Sequence, residues 1–278
     1  MDIRRARMEQ LRKLEMHEVR NGAYELLHKF DAFCRQHDIA YTLSGGTCLG
    51  AVRHGEMIPW DDDVDVDLPL PEYIKLMECI RESGTPDGIE LLAGMSRGGG
   101  NYIPKWCNTH TLAIIPSRSR RRSFSQWLDI FPIFALSDDE KEAQEQLRIV
   151  RDNALTTHFW LNKPPLLEHP RTWLRKTLLA DVTMWRCLKR IREACMRYPY
   201  GSTKYVHSVY VYGDEDVHPR KFPTELFSRR TMHRFGDAEY PVLEGYDTYL
   251  SILYGKDYMT PPPEDKRGGH DHCLYTWR

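Results

Sequence analysis

A chain of 278 residues, 41% hydrophobic and 28% charged, suits one large domain or two small ones and excludes a wholly disordered polymer. Its 39 basic and 40 acidic residues leave a net charge of −1, so no global field argues for a nucleic-acid partner. No apolar run approaches the roughly 18–20 residues of a membrane span, so any membrane contact is expected to be peripheral association.

The first twenty residues are charged throughout and lack the apolar stretch of a signal peptide. The seven cysteines (Cys34, Cys48, Cys79, Cys107, Cys187, Cys195 and Cys273) include no Cys-x-x-Cys pair. Together these features predict a cytoplasmic protein whose thiols mostly serve as small buried hydrophobes. Residues 3–37 read as a long helix, with Ala23, Leu26, Leu27, Phe30, Phe33 and Cys34 recurring at steps of three and four. Ile39–Leu43 is short and rich in β-formers; Ser44-Gly45-Gly46-Thr47 ends it, and a short helix is expected over Thr47–His54. An acidic cluster follows, bounded by Pro59 and by Pro69 and Pro71, before a helix at 72–82.

The middle of the chain predicts strands at Ile89–Ala93, Tyr102–Cys107, Thr111–Ile115 and Trp127–Phe134, with loops such as Arg97-Gly98-Gly99-Gly100. Beyond Ser137 the pattern turns helical, over Asp138–Trp160 and Arg171–Tyr198, with Pro164 and Pro165 between. Lys204–Tyr212 and Phe235–Val242 are expected to rejoin the sheet. A helix at 243–254 then leads through Pro261-Pro262-Pro263 to a polar tail that includes His270 and ends near His272. Strands first and helices after predict an α+β class with an added helical region.

The densest chemistry lies between Ile58 and Pro69, where Asp61, Asp62, Asp63, Asp65 and Asp67 place five carboxylates within seven residues. If the segment is extended, Asp61, Asp63, Asp65 and Asp67 share one face and Val64, Val66 and Leu68 the other. Like charges so close raise one another's pKa unless a cation compensates. Hard Mg²⁺, with Mn²⁺ as the alternative, suits such oxygen ligands. Asp61, Asp63, Asp65 and Glu72 also match the spacing of an EF-hand loop, but Val66 stands where that loop needs glycine, and Pro69 and Pro71 fall inside it. A strand that ends in glycines and opens a helix presents backbone N–H groups at a positive dipole end, a cradle for phosphate. Asp129, a lone acid in an apolar strand, is either an ion-pair partner, a metal ligand or a base.

The run Ser44-Gly45-Gly46-Thr47-Cys48-Leu49-Gly50-Ala51-Val52-Arg53-His54, followed by Ile58-Pro59-Trp60-Asp61-Asp62-Asp63-Val64-Asp65-Val66, resembles the signature of the LicD family. That family comprises cholinephosphotransferases of bacterial surface polysaccharides and is related to fukutin-type ribitol-phosphate transferases. Leu128-Asp129-Ile130-Phe131-Pro132 resembles its third-carboxylate strand. Tyr254-Gly255-Lys256-Asp257-Tyr258-Met259 with Pro262-Pro263-Glu264-Asp265-Lys266-Arg267 is similar to its C-terminal box. The resemblance implies a nucleotidyltransferase core like that of polymerase β, a mixed sheet flanked by helices. Residues 1–137 would carry the core motifs and 138–278 the helical region and the completion of the same unit.

It also implies transfer of phosphocholine, or a similar phospho-alcohol, from CDP-choline or a related CDP-alcohol to a sugar hydroxyl. The acceptor would be a glycan or glycolipid, a precursor of polysaccharide, lipopolysaccharide or teichoic acid. By motif position Asp63 and Asp65 would ligate the metal, Asp129 would complete the site and Asp61 would support it. Gly45, Gly46 and Thr47 would meet the donor phosphates. Arg53, Lys105 and Arg267 are candidate cations for oxyanion charge. Trp60, with Tyr102, Trp106 and Trp127, is a candidate for cation–π contact with a quaternary ammonium. Arg118 and Arg120–Arg122 form a basic loop suited to an anionic acceptor. Cys48 stands where leucine is common and no proline follows Val242, so the carried alcohol stays open. The rival reading is a metal-dependent glycosyltransferase holding a nucleotide sugar through Asp63-Val64-Asp65.

Overall fold

A computed structural model of the chain describes residues 11–94, 102–116, 121–161, 170–209, 221–267 and 273–277. Strand β1 (Leu11–Lys13) precedes helix α1 (Met16–Gln36), whose buried stripe is Val19, Ala23, Leu26, Leu27, Phe30, Phe33 and Cys34. Over residues 11–13 the chain is therefore extended where the long helix is expected, and residues 3–10 of that expectation lie outside the described residues. Leu26, Leu27 and Phe30 lose essentially all exposure, and burying each such side chain contributes about 1.5–3 kcal/mol. Phe30 and Phe33 pack on Trp106, each with ring centroids 5.5 Å away.

The next elements are β2 (Thr42–Leu43), α2 (Gly45–His54), β3 (Asp65–Pro69), α3 (Leu70–Ser83) and β4 (Ile89–Leu92). Strands β5 (Lys105–Pro116) and β6 (Arg121–Leu136) are long. The two strands expected at 102–107 and 111–115 are thus one strand, with a register shift between Asn108 and Ala113 that admits the polar residues within it. Helices α4 (Glu140–Leu161) and α5 (Pro170–Cys195) form the added helical pair. After them come β7 (Tyr205–Ser208), β8 (Phe222–Pro223), β9 (Arg230–Phe235), β10 (Ala238–Leu243), α6 (Tyr246–Tyr254) and β11 (Cys273–Trp277).

The main sheet has nine strands, in the order β1-β11-β5-β6-β3-β2, with β4 on β5 and β7 and β8 extending from β6. Among the described residues only the β3–β6 pairing is parallel, so the sheet is mixed, as the family resemblance implies. Beyond the stretch that ends near His272, where no element is expected, β11 lies between β1 and β5. One expectation fails here: Phe235–Val242 does not rejoin the sheet, because among the described residues β9 and β10 pair only with each other. That hairpin packs against α2, where Gly236 N–H donates to the Gly55 carbonyl at 2.8 Å. Of the six cysteines whose side chains are described, five are buried and Cys79 is half-buried. No helix among the described residues is long and apolar enough to cross a membrane.

Candidate active site

The site is built where β2 hands the chain to α2 beside β3. Gly45 takes φ +47°, a conformation that disfavours side chains, and so lets the strand turn directly into the helix. A Cβ there would lie 3.5 Å from the Tyr254 hydroxyl and 4.0 Å from Asp65 Oδ2, which shows how near the turn is to the acids. A Cβ on Gly46 would lie 3.0 Å from Asp61 Oδ2. Helix α2 begins at the glycines rather than at Thr47, and Cys48 N–H closes its first turn on the Ser44 carbonyl at 2.9 Å.

Two hydrogen-bond systems lock this turn to the acidic strand. Thr47 Oγ1 accepts the Asp65 N–H at 2.9 Å, and Ser44 N–H donates to the Asp65 carbonyl at 3.0 Å. The buried Asp67 carboxylate accepts from the Ser44 hydroxyl at 2.8 Å and from the Tyr249 hydroxyl at 2.6 Å, while Tyr249 accepts the Gly45 N–H at 3.1 Å. Burial pushes Asp67 up to about 7, against the opposing effect of those two donors.

Asp65 and Asp129 are direct partners in the parallel β3–β6 register, and Lys105 is the antiparallel partner of Asp129. Acid, acid and cation therefore form one row across three adjacent strands. Lys105 Nζ reaches Asp129 Oδ1 at 2.5 Å and sits 4.3 Å from the Trp127 ring centre, while Trp127 Nε1 donates to Asp129 Oδ2 at 2.9 Å. Asp129 is thus ion-paired, with Lys105. Burial first, then the charges of Asp63, Asp129 and Asp61, hold Asp65 well above the usual carboxylate range, with Lys105 opposing them. The carboxylate oxygens of Asp61, Asp62 and Asp63 also lie within 4.8 Å of one another. A group of hard oxygen donors with one nearby lysine fits a divalent cation.

These residues open on a cleft of about 180 Å³, lined among others by Gly45, Gly46, Asp63, Asp65, Asp67 and Asp129. The structure therefore brings the glycine turn and three of the cluster's acids together with Asp129. Asp61 precedes the strand, in the turn behind Gly46, so the face expected to hold Asp61 through Asp67 begins in practice at Asp63. Because residues 65–69 are strand and lead directly into α3, the EF-hand spacing forms no such loop.

Of the three candidate cations, Lys105 pairs with Asp129 in this row, and the other two lie elsewhere. Arg53 donates to the Tyr258 carbonyl at 2.8 Å, and burial lowers its pKa. Arg267 stands over the Trp60 ring at 4.7 Å, so that ring already holds a cation outside the cleft lining. Trp106 is wholly buried in the core. The aromatic lining is instead Phe131, Phe222, Tyr249, Tyr254 and His207. Arg118, Arg120, His270 and His272 lie outside the described residues, as do the side chains of Arg121 and Arg122.

Sequence reasoning missed Arg20, whose guanidinium gathers the carbonyls of Met57, Ile58, Pro59 and Asp61 at 2.9–3.3 Å and so holds the loop that carries the acids. It also missed Tyr249. Neither residue has a local pattern to betray it, since each acts through groups distant in sequence.

A family model described as LicD/FKTN/FKRP, nucleotidyltransferase domain, matches residues 38–176. The chain is 24% identical over 265 residues, spanning 94% of its own length and 97% of the relative's, to the lipopolysaccharide cholinephosphotransferase LicD of Haemophilus influenzae. A stretch of 34 residues, 12% of this chain and 7% of the relative, is 53% identical to human ribitol 5-phosphate transferase FKRP. A stretch of 78 residues, 28% of this chain and 23% of the relative, is 35% identical to an uncharacterised Rickettsia typhi protein.

Proposed function

Since the chain belongs to the LicD/FKTN/FKRP nucleotidyltransferase-domain family, we propose that it is a phosphotransferase acting on a cell-surface glycan. In this reading it moves phosphocholine or a similar phospho-alcohol from a CDP-linked donor to a sugar hydroxyl. The observation that carries the reading is the single cleft shared by the Gly45-Gly46 turn, Asp63, Asp65 and Asp129. It is supported by the whole-length similarity to a lipopolysaccharide cholinephosphotransferase.

Asp63 and Asp65, with Asp129 completing the set and Asp61 in support, would hold Mg²⁺ or Mn²⁺. Such an ion neutralises diphosphate charge and eases departure of CMP. The residues themselves chiefly position and orient. Gly46 and Thr47 present first-turn N–H groups at the positive end of α2, suited to a donor phosphate. The Thr47 hydroxyl, committed to Asp65, fixes the acid strand to that helix. With both oxygens of Asp129 engaged, by Lys105 and Trp127, its carboxylate is held in one orientation, with those partners in place of a substrate hydroxyl. That suits a ligand better than a base. In the reaction the acceptor oxygen bonds to the transferred phosphorus, the bond from that phosphorus to the CMP oxygen breaks, and the acceptor's hydroxyl proton passes to water or to the phosphate of the departing CMP.

The test is CMP release from a panel of CDP-choline, CDP-ethanolamine, CDP-glycerol and CDP-ribitol, with lipopolysaccharide or teichoic acid as acceptor. Acceptor-dependent CMP release is expected from at least one donor. Release of a nucleoside diphosphate from a nucleotide sugar, with no CMP from any CDP-alcohol, would replace this reading with a glycosyltransferase.

A further inference from the structure

The helical pair inserted between β6 and β7 carries an apolar surface that no described residue covers. Helices α4 and α5 run antiparallel: Gln146 donates to the Ala194 carbonyl at 2.8 Å, and Arg175 lies 5.9 Å from the Trp160 ring at the other end of the pair. The end of α5 is anchored conventionally, with Cys187, Leu188, Ile191, Ala194 and Cys195 buried. The part before Cys187 is different. Leu174, Leu179, Val182 and Trp185 are 53%, 47%, 51% and 41% exposed, and at the same end of the pair Leu155 and Phe159 of α4 are 50% and 57% exposed. At 100° per residue, Val182 points away from the buried side of α5, and Arg171, Arg175, Arg186 and Lys189 share its outward face.

Helix α5 holds seven basic and two acidic residues in a chain of net charge −1. That concentration of like charge argues against a second copy of the chain, whose α5 would bring the same positive field to the contact. An outward face that mixes apolar side chains, a tryptophan and several arginines is suited to the boundary between headgroups and acyl chains.

We propose that the exposed end of the α4–α5 pair docks on the surface of an anionic lipid bilayer, with the apolar side chains entering the headgroup boundary and the arginines meeting lipid phosphates. The inference is independent of the proposed catalytic activity, and its test needs no substrate. Full-length protein is sedimented with vesicles of equimolar phosphatidylglycerol and phosphatidylcholine, and with phosphatidylcholine alone. Binding is expected to the first, weakly to the second, and to fall as salt rises.

Replacing Arg171→Gln with Arg186→Gln is expected to lower the partition coefficient about twenty-fivefold, at about fivefold for each lost charge. Val182→Gln with Trp185→Gln is expected to lower it further, and both pairs should leave the melting temperature unchanged because all four side chains are exposed. Failure to bind the anionic vesicles, or binding that neither pair of substitutions weakens, would overturn the proposal. So would a concentration-dependent dimer that Val182→Gln with Trp185→Gln disperses in a protein that ignores vesicles.

Discussion

Replacing Tyr249→Phe probes the link between the glycine turn and the acidic strand most sharply, because it deletes one oxygen and keeps the ring. Tyr249 is buried and packs on Phe222 with centroids 5.1 Å apart, so the phenyl group remains well housed. The lost hydroxyl donates to Asp67 at 2.6 Å and accepts the Gly45 N–H at 3.1 Å. A hydrogen bond to an ionised partner contributes about 1.5–3 kcal/mol, and an unmet N–H adds to the cost. Gly45 borders the cleft, where water can reach its N–H, so the total is expected near 2–3 kcal/mol rather than the full sum.

Urea unfolding at about pH 8, above the value near 7 to which burial pushes Asp67, should show a midpoint lowered by roughly 1 M with an unchanged slope. Ser44→Ala removes the other donor to the same carboxylate, so the double variant should deviate from additivity by at least about 0.5 kcal/mol. Turnover should fall about tenfold to a hundredfold as the turn loses its anchor. A stability loss under about 0.5 kcal/mol, with turnover intact, would refute the claim that this network holds the turn in place.

Three further outcomes are expected. Gly50→Ala places a Cβ 2.7 Å from the Glu56 carbonyl oxygen and 3.2 Å from the Phe235 ring, so thermal denaturation should show a loss of about 1–3 kcal/mol. Lys105→Met leaves Asp129 without its buried partner, 2.5 Å away in the native protein, and should cost about 3–5 kcal/mol in EDTA. Added Mg²⁺ should restore part of that loss, and a variant as stable as the native protein in EDTA would contradict the pairing. Arg20→Gln releases the loop from Met57 to Asp61, so the Mg²⁺ concentration that supports half-maximal turnover should rise, with about 1–3 kcal/mol lost in stability; an unchanged Mg²⁺ dependence would mean that the loop holds itself.

Much of the site was legible because its signals are local. The stripe on α1, the glycines that turn a strand into a helix and the alternation of acids with valines each follow from spacing within a dozen residues. Asp129 was recognisable as an isolated acid in an apolar strand. The parts that sequence reading missed depend on partners far along the chain. Strand β1 is three residues long and forms only because β11, at the opposite end of the sequence, offers it an edge. Asn108 and His110 looked like a loop, yet β5 runs through them because the register shift leaves room for polar residues. The pattern of β9 and β10 is that of any strand pair, and nothing local says that they will pair with each other rather than extend the main sheet. Trp60 and Trp106 were near the motifs in sequence, but one stacks under Arg267 and the other fills the core against Phe30 and Phe33.

The most direct measurement is calorimetric titration of CDP-choline into the native protein and into Asp65→Asn, with and without Mg²⁺. Heat that appears only when the cation is present, and that vanishes in a variant whose melting temperature is equal or higher, is the predicted result. Binding of equal strength in EDTA, or undiminished in Asp65→Asn, would contradict a shared site for cation and diphosphate.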